Sequence, residues 1–484
     1  MLSSETFNQS LQLASEHYVA IAIALLVIYV CTPSAQERAV AHLPKPTSTL
    51  PLLGNTLDFV VTHREKLHSW FADECARQGG KPWVARVFGR APMVMIYSEE
   101  GVKDVLKIQV DIFEMGSNEG ITIAHGTKWF HQRKVASNLF TMNMMRASMS
   151  EGIVNDGGLV CDIVGKAADA GETVELKRLM EIFTNDVFTK VGFGVDLNYL
   201  KHTNHGFFTC VDRVSELIKE RTIGTGEIWK LQRMLNLGLE KQRKEDMTWI
   251  DKYVYRIINK SIAKKKEDSV ESQKAQIKSL RDMAIVFLFA GRSTATNSMD
   301  WLVIMLAQNL HVQDKIRAEL RAKLPNLVSG TIKVLAMEQI GELTYLEAPI
   351  RESLRLNPAI PLTTRVAQQD MTLSDGAFLK KGTIVMVPIY AIGRMQHLWG
   401  EDAAEFKSER WIDSKTGKFI TVSPFKSFAF CAGPRICLGK NFSFMEMKML
   451  TAALLSKFEF ATEEDPHTCE YHATLALNVV DPLE

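Results

Sequence analysis

Phe430-Cys431-Ala432-Gly433-Pro434-Arg435-Ile436-Cys437-Leu438-Gly439 puts one cysteine in a glycine-flanked loop just ahead of an expected helix, Lys440 to Ser456. Such a loop can present a single thiolate to an iron. Gly433 and Gly439 lack a Cβ, so backbone can pass close to a flat macrocycle and turn sharply on either side of Cys437. Backbone N–H groups near a helix N-terminus favour the thiolate over the thiol and set how much electron density the sulfur gives to the metal. Arg435 offers a fixed cation to an acidic substituent of the ring, and Phe430 can shield the sulfur from water. The competing reading makes Cys437 a buried small hydrophobe beside a turn. A zinc site does not fit, because Cys431 and Cys437 are six apart with no second close pair, and Gly433 to Asn441 has one residue too many for a phosphate loop and ends Lys-Asn.

The elements that must hold this loop are also written in the chain. Glu352-Ser353-Leu354-Arg355 lies in a helical segment that Asn357-Pro358 ends, which puts acid and base one turn apart on one face. Phe406-Lys407-Ser408-Glu409-Arg410-Trp411 brings a further arginine that could complete a buried Glu352, Arg355, Arg410 cluster. Ser279 to Leu310 reads as a long apolar helix interrupted by Ala290-Gly291-Arg292-Ser293-Thr294-Ala295-Thr296, and small polar residues in mid-helix usually cost stability.

In this order and spacing the stretches resemble the cytochrome P450 family of haem-thiolate monooxygenases, over nearly all of the chain from about Pro44 onward. The resemblance implies a mainly α fold with small β-sheets, one large catalytic domain, and haem b with the Cys437 thiolate as axial ligand. It makes Trp129 and Arg133, within Trp129-Phe130-His131-Gln132-Arg133, and also Arg365 and Arg435, contacts of the haem propionates. Thr294 takes the place of the threonine that stabilises the hydrogen-bonded network delivering protons to bound oxygen. A thiolate ligand favours O–O cleavage and so an oxidant able to attack an unactivated C–H bond. Tyr390-Ala391-Ile392-Gly393-Arg394-Met395 followed by Trp399-Gly400 is most similar to eukaryotic fatty-acid hydroxylases of plants, fungi and related microbes. The expected reaction is insertion of one oxygen atom into a fatty acid near its methyl end, and the expected partner is an NADPH-dependent flavin reductase. Gly192-Phe193-Gly194 is only half of a dinucleotide fingerprint, so no nicotinamide site is visible. Ala290, Thr294 and Ala295 are expected over the haem, and Ala359, Ile360, Leu362 and Thr363 along the substrate pocket.

The chain departs from the family pattern in several places. Ser293 stands where an acid usually precedes the threonine, and a serine cannot act as a carboxylate in a proton relay at neutral pH. Ala295 follows in place of a second hydroxyl, and Ser408 replaces a proline. Phe113 to Trp129 looks several residues short, and the final strand pairing looks clipped at Pro482-Leu483-Glu484. Slower turnover or release of partly reduced oxygen is expected if nothing compensates. Two other functions stay open at this point: isomerisation or dehydration of a pre-oxygenated lipid, which needs no reductase, and a haem-binding protein that has lost turnover.

Composition fits one large body attached to a membrane. Hydrophobic content of 46% supports a large core, a net charge of +1 gives no case for nucleic-acid binding, and seven scattered cysteines point to a reducing compartment. Residues 1–32 are read as a segment with a membrane anchor at Tyr18 to Cys31, extendable toward Leu11, residues 33–54 as a proline-rich hinge, and 55–484 as the catalytic domain. Arg38 and Lys45 follow the apolar run and no basic residue precedes it, a bias that keeps the body in the cytosol at the endoplasmic reticulum membrane. Trp83 to Phe88 and Met93 to Tyr97 are expected as a hairpin, Thr203 to Glu220 and Trp249 to Lys264 as a helical roof, Lys264 to Gln276 as an exposed charged loop, and His202 and His205 on a polar turn. Arg133, Lys134, Lys440 and Lys448 are candidate reductase contacts.

Overall fold

Apolar side chains at helical spacing and short β-branched runs divide the chain between a large helical body and a small sheet region. A computed structural model describes residues 32–480 except 110–112, 115–120, 122–123, 147–149, 202–205, 224–227, 266–269, 464 and 474–475. The helices that matter below are α1 (Leu67–Arg77), α2 (Gly126–Ser137), α3 (Ser150–Ala170), α4 (Leu176–Phe193), α5 (Gly206–Ile223), α6 (Ile228–Met234), α7 (Gly238–Lys265), α8 (Val270–Gln308), α9 (Leu310–Lys323), α10 (Thr344–Leu356) and α11 (Lys440–Leu455). One sheet has the order β1 (Trp83–Ala85), β2 (Met93–Met95), β7 (Ile384–Val387), β4 (Thr363–Ala367), β3 (Phe113–Glu114). Only the β2–β7 pair is parallel, with Val94 opposite Val385. Two small antiparallel pairs complete the strands: β5 (Met371–Thr372) with β6 (Phe378–Leu379), and β8 (Tyr471–Ala473) with β9 (Leu477–Val479). The expected mainly α fold with small sheets is therefore what the chain forms.

The two largest of four buried clusters among the described residues hold it together. In the helical body Phe183 and Val187 of α4, Phe207 and Val211 of α5, Leu302 of α8, Ile350 of α10 and Leu450 of α11 share one buried cluster. Around the sheet Phe71, Trp83, Val94 and Val385 share another. Helices α4 and α8 approach so closely at Gly291 that a Cβ there would lie 2.7 Å from Phe188 Cδ2.

The expected acid–base cluster forms in full. Glu352 and Arg355 are buried on α10. Glu352 accepts from Arg355 Nη2 at 2.7 Å, Lys407 N at 2.9 Å, Arg410 Nε at 3.3 Å and Trp411 Nε1 at 2.9 Å. Arg355 Nη1 donates to the Gly393 and Ala403 carbonyls, and Arg410 Nη1 to Trp399 O at 2.6 Å. Removing one member of so enclosed a network costs about 3–5 kcal/mol, because the partner charge is left buried. Nearby, Ser408 Oγ is fully buried without a partner, so the departure from proline introduces an unmet polar group.

Some expectations need correction. Lys264 to Gln276 is not one loop, since α7 runs to Lys265 and α8 already begins at Val270. Glu271, Gln273, Lys274, Ala275 and Gln276 are strong helix formers, so the run has high helix propensity although it holds few apolar residues. The hairpin forms but its strands are shorter than expected. The anchor segment, residues 115–120 and 122–123 of the stretch from Phe113 to Trp129, His202, His205 and the last four residues lie outside the described residues. Among the described residues no helix is long and apolar enough to cross a membrane.

Glu446 of α11 is buried amid this core, with Oε1 unpartnered, and burial pushes its carboxyl up to about 8 from the usual 4.5. The folded state keeps the proton that the unfolded chain loses above about 4.5. Its contribution to folding stability is therefore greatest below that value and is lost as pH rises toward 8, by at most about 1.4 kcal/mol per pH unit. Denaturant unfolding between pH 5 and 8 is expected to show a smaller fall of stability with pH in Glu446→Gln than in the wild type, the remainder including the contribution of Asp186, whose carboxyl burial pushes up to about 7; an unchanged slope in the variant contradicts the assignment.

Candidate haem-thiolate site

Cys437 stands in the last turn of loop before α11, for which Gly439 is the N-cap. Its N–H donates to Phe430 O at 2.9 Å, and Cys431 N to Phe428 O at 2.7 Å, which fold the loop back on itself. Gly433 has φ of +69°, and a Cβ there would sit 2.1 Å from Leu106 O. The glycine thus answers to the neighbouring chain rather than to a macrocycle. Gly439 has ordinary φ of −81°, and a Cβ would meet only Phe140 Cε1 at 3.7 Å and Cys437 Sγ at 3.8 Å. Its bareness leaves the sulfur uncovered.

Cys437 is solvent-accessible, yet burial is the largest influence on its thiol and pushes it up. Together these place the sulfur in a recess. The Gly439 and Lys440 N–H groups and the Arg133 guanidinium act in the other direction and favour the thiolate, while Cys431 nearby raises it again. Arg133 lies one turn after Trp129 on α2. Burial lowers Arg133, and the two thiols, Cys437 first, oppose this, so its guanidinium faces the same recess. The Arg435 guanidinium lies 4.6 Å from the centre of the Trp129 ring and donates from Nη2 to Ala124 O at 2.8 Å. Phe430 packs its ring on Phe444 at 5.4 Å between centroids.

Arg365, on β4, is 1% exposed. Nη1 donates to Thr363 Oγ1 at 2.7 Å and Thr364 O at 2.8 Å, while Nε has no partner. Burial lowers this guanidinium and Cys431 beside it opposes the shift. A buried guanidinium with an unused N–H calls for an anion. On α8, Thr294 Oγ1 donates to Ala290 O at 2.7 Å and Ser298 Oγ to Thr294 O at 2.7 Å. Ala290 and Thr294 share an accessible face, Ser293 is half-buried, and Ala295 is turned into the core. Ile360, Leu362 and Thr363 are half-buried ahead of Arg365, whereas Ala359 is buried and accepts from Leu477 N at 2.9 Å through its carbonyl.

Residues 44–480 match the family model described as Cytochrome P450. The chain belongs to the cytochrome P450 family. Among its relatives, cytochrome P450 704C1 of Pinus taeda is 30% identical over 454 residues, covering 85% of this chain and 86% of the relative. Cytochrome P450 94B1 of Arabidopsis thaliana is 31% identical over 461 residues, 88% of each chain, and cytochrome P450 94A1 of Vicia sativa is 28% identical over 454 residues, 87% and 85%. The P450 family consists of oxidoreductases, monooxygenases that carry haem b with a cysteine thiolate as axial ligand.

The residues present fit that group: an accessible thiol with N–H donors and a cation at the sulfur, an arginine stacked on a tryptophan, and a buried arginine with an unmet donor. Sequence reasoning missed Cys431 beside Arg365, the burial of Arg292, and Glu446. Only Glu446, an acid inside a mostly apolar stretch from Phe442 to Leu455, carried a local signal.

Losing a charge-assisted hydrogen bond costs about 1.5–3 kcal/mol. Arg365→Leu is therefore expected to speed haem loss to an apo-globin acceptor by about tenfold to a hundredfold, and a rate equal to the wild type would exclude Arg365 as a haem contact.

Proposed function

We propose that this P450 inserts one oxygen atom from dioxygen into a hydrophobic substrate, a fatty acid near its methyl end, with Cys437 as the axial ligand. The recessed thiol of Cys437, met by two backbone N–H groups and Arg133, carries the reading. Trp129, Arg133, Arg365 and Arg435 would hold the haem edge. When bound, a thiolate-ligated haem supplies dioxygen activation and C–H oxidation.

The chain's own part is to bind, orient, exclude water and manage protons. Thr294 donates its hydroxyl hydrogen bond to Ala290 O, which leaves lone pairs on Oγ1 toward the accessible face. It therefore acts there as an acceptor that orients a water or another donor. Ser293 can relay a proton but cannot supply one as a carboxyl would. Turnover limited by proton delivery, with some oxygen released as peroxide, follows from that chemistry.

The apolar side chains of Ile360 and Leu362 suit an alkyl chain, and the likeness of Tyr390 to Gly400 to fatty-acid hydroxylases supports the substrate class. Electrons come from an NADPH-dependent flavin reductase that docks on the cysteine side. Lys134 is exposed there and Lys440 half-exposed. Lys448 is not available, because it is buried and paired to Glu347. Arg133 faces the recess. The apolar run from Tyr18 to Cys31 and the basic residues after it support an anchor in the endoplasmic reticulum membrane with the catalytic body in the cytosol.

Titration of the ferric protein with saturated fatty acids of graded chain length is expected to give a low-to-high-spin change. Reductase-dependent oxygen uptake should then yield product hydroxylated near the methyl end. Absence of any spin change with every chain length, in protein that binds haem, would overturn the substrate.

A further inference from the structure

Arg292 lies one residue before the Ser293–Thr294 pair and is 2% exposed, on the side of α8 that meets α4 and α5. Its Nη2 pairs with Glu181 Oε1 of α4 at 2.7 Å and with Asp212 Oδ1 of α5 at 3.2 Å. Nε and Nη1 have no hydrogen-bond partner. The Arg292 guanidinium lies 4.7 Å from the centre of the Phe208 ring of α5, and Arg178 of α4 lies 4.4 Å from the same ring. Glu181 also accepts from Arg178 Nη1 at 2.8 Å. A buried guanidinium is thus compensated by one carboxylate from each of two helices.

Two flanking contacts on α8 go to α4. Gly291 has no room for a Cβ against Phe188, and Thr296 Oγ1 and Thr184 Oγ1 share a hydrogen bond at 3.1 Å. Helix α4 therefore fixes both ends of the turn that carries the hydroxyls, while through Arg292 the position of α5 bears on the same turn. Any shift of α5 removes Asp212 and Phe208 from Arg292 and leaves a buried charge half compensated, a cost that a small rearrangement of α8 relieves.

We propose that Arg292 is a positioning residue that couples the placement of α5 to the Ser293–Thr294 turn, so that a substrate displacing α5 alters how the hydroxyls are held. The coupling rests on the monooxygenase reading for its consequence, but its structural half can be tested without turnover.

Asp212→Asn is the most direct variant, because the Asp212 side chain is 59% exposed and its replacement opens no core. In the haem-loaded protein without substrate, amide exchange across residues 288–298 is expected to rise by about threefold or more in D212N, with α4 peptides unchanged. With reductase and a fatty acid, the ratio of peroxide to hydroxylated product is expected to rise by a similar factor, and Arg292→Lys, which keeps the charge but loses the fork, should fall between. Wild-type exchange across 288–298 in D212N would overturn the coupling. So would a loss of thermal stability with an unchanged peroxide-to-product ratio, which marks a merely structural pair. Wild-type protein that gives no product at all would instead overturn the reading of function, while leaving the exchange result to decide the coupling.

Discussion

A thiolate in a protein recess is costly unless donors face it, and the arrangement around Cys437 follows from that constraint. The sulfur lies ahead of α11, where the N–H groups of Gly439 and Lys440 are not used within the helix. The loop can reach that position only because Gly433 passes against Leu106 O, which ties the loop to the sheet side of the molecule. Below it, Glu352 and Arg355 of α10 gather the chain from Gly393 to Trp411 by hydrogen bonds to its backbone and side chains. One buried polar network thus holds the chain that precedes the loop, and the close approach of Gly433 to Leu106 holds the loop itself.

The distal side obeys a different constraint. Small residues in α8 let α4 pack closely and let Thr294 and Ser298 bond back to carbonyls a turn earlier. A helix weakened in this way needs outside support. Phe188, Thr184 and Glu181 of α4 supply it, and Arg292 extends it to α5. The missing acid at Ser293 is therefore set in a turn whose polar contacts are directed into the helix bundle.

Local chemistry was legible where it depends on spacing along the chain. The cysteine loop, the one-turn spacing of Glu352 and Arg355, the interrupted long helix and the hairpin are all readable because each is a short-range pattern with a physical reason. What was not legible depends on distant partners. The reason for Gly433 lies at Leu106, the loss of Lys448 as a surface cation lies at Glu347, and the burial of Arg292 depends on Glu181 and Asp212. Nothing local marks Cys431 out, and only the fold sets Arg365 of β4 beside it. The start of α8 at Val270 is hidden for the opposite reason, because polar residues of high helix propensity look like an exposed loop in the sequence.

The central claim is that Cys437 gives its thiolate to the iron of a bound haem. The optical spectrum of the reduced protein with carbon monoxide, taken on the wild type beside Cys437→His, tests it most directly. The account predicts a red-shifted thiolate-type Soret band in the wild type, replaced in the variant by the unshifted band of a nitrogen ligand. A red-shifted band that survives in Cys437→His, or its absence from wild-type protein loaded with haem, would contradict it.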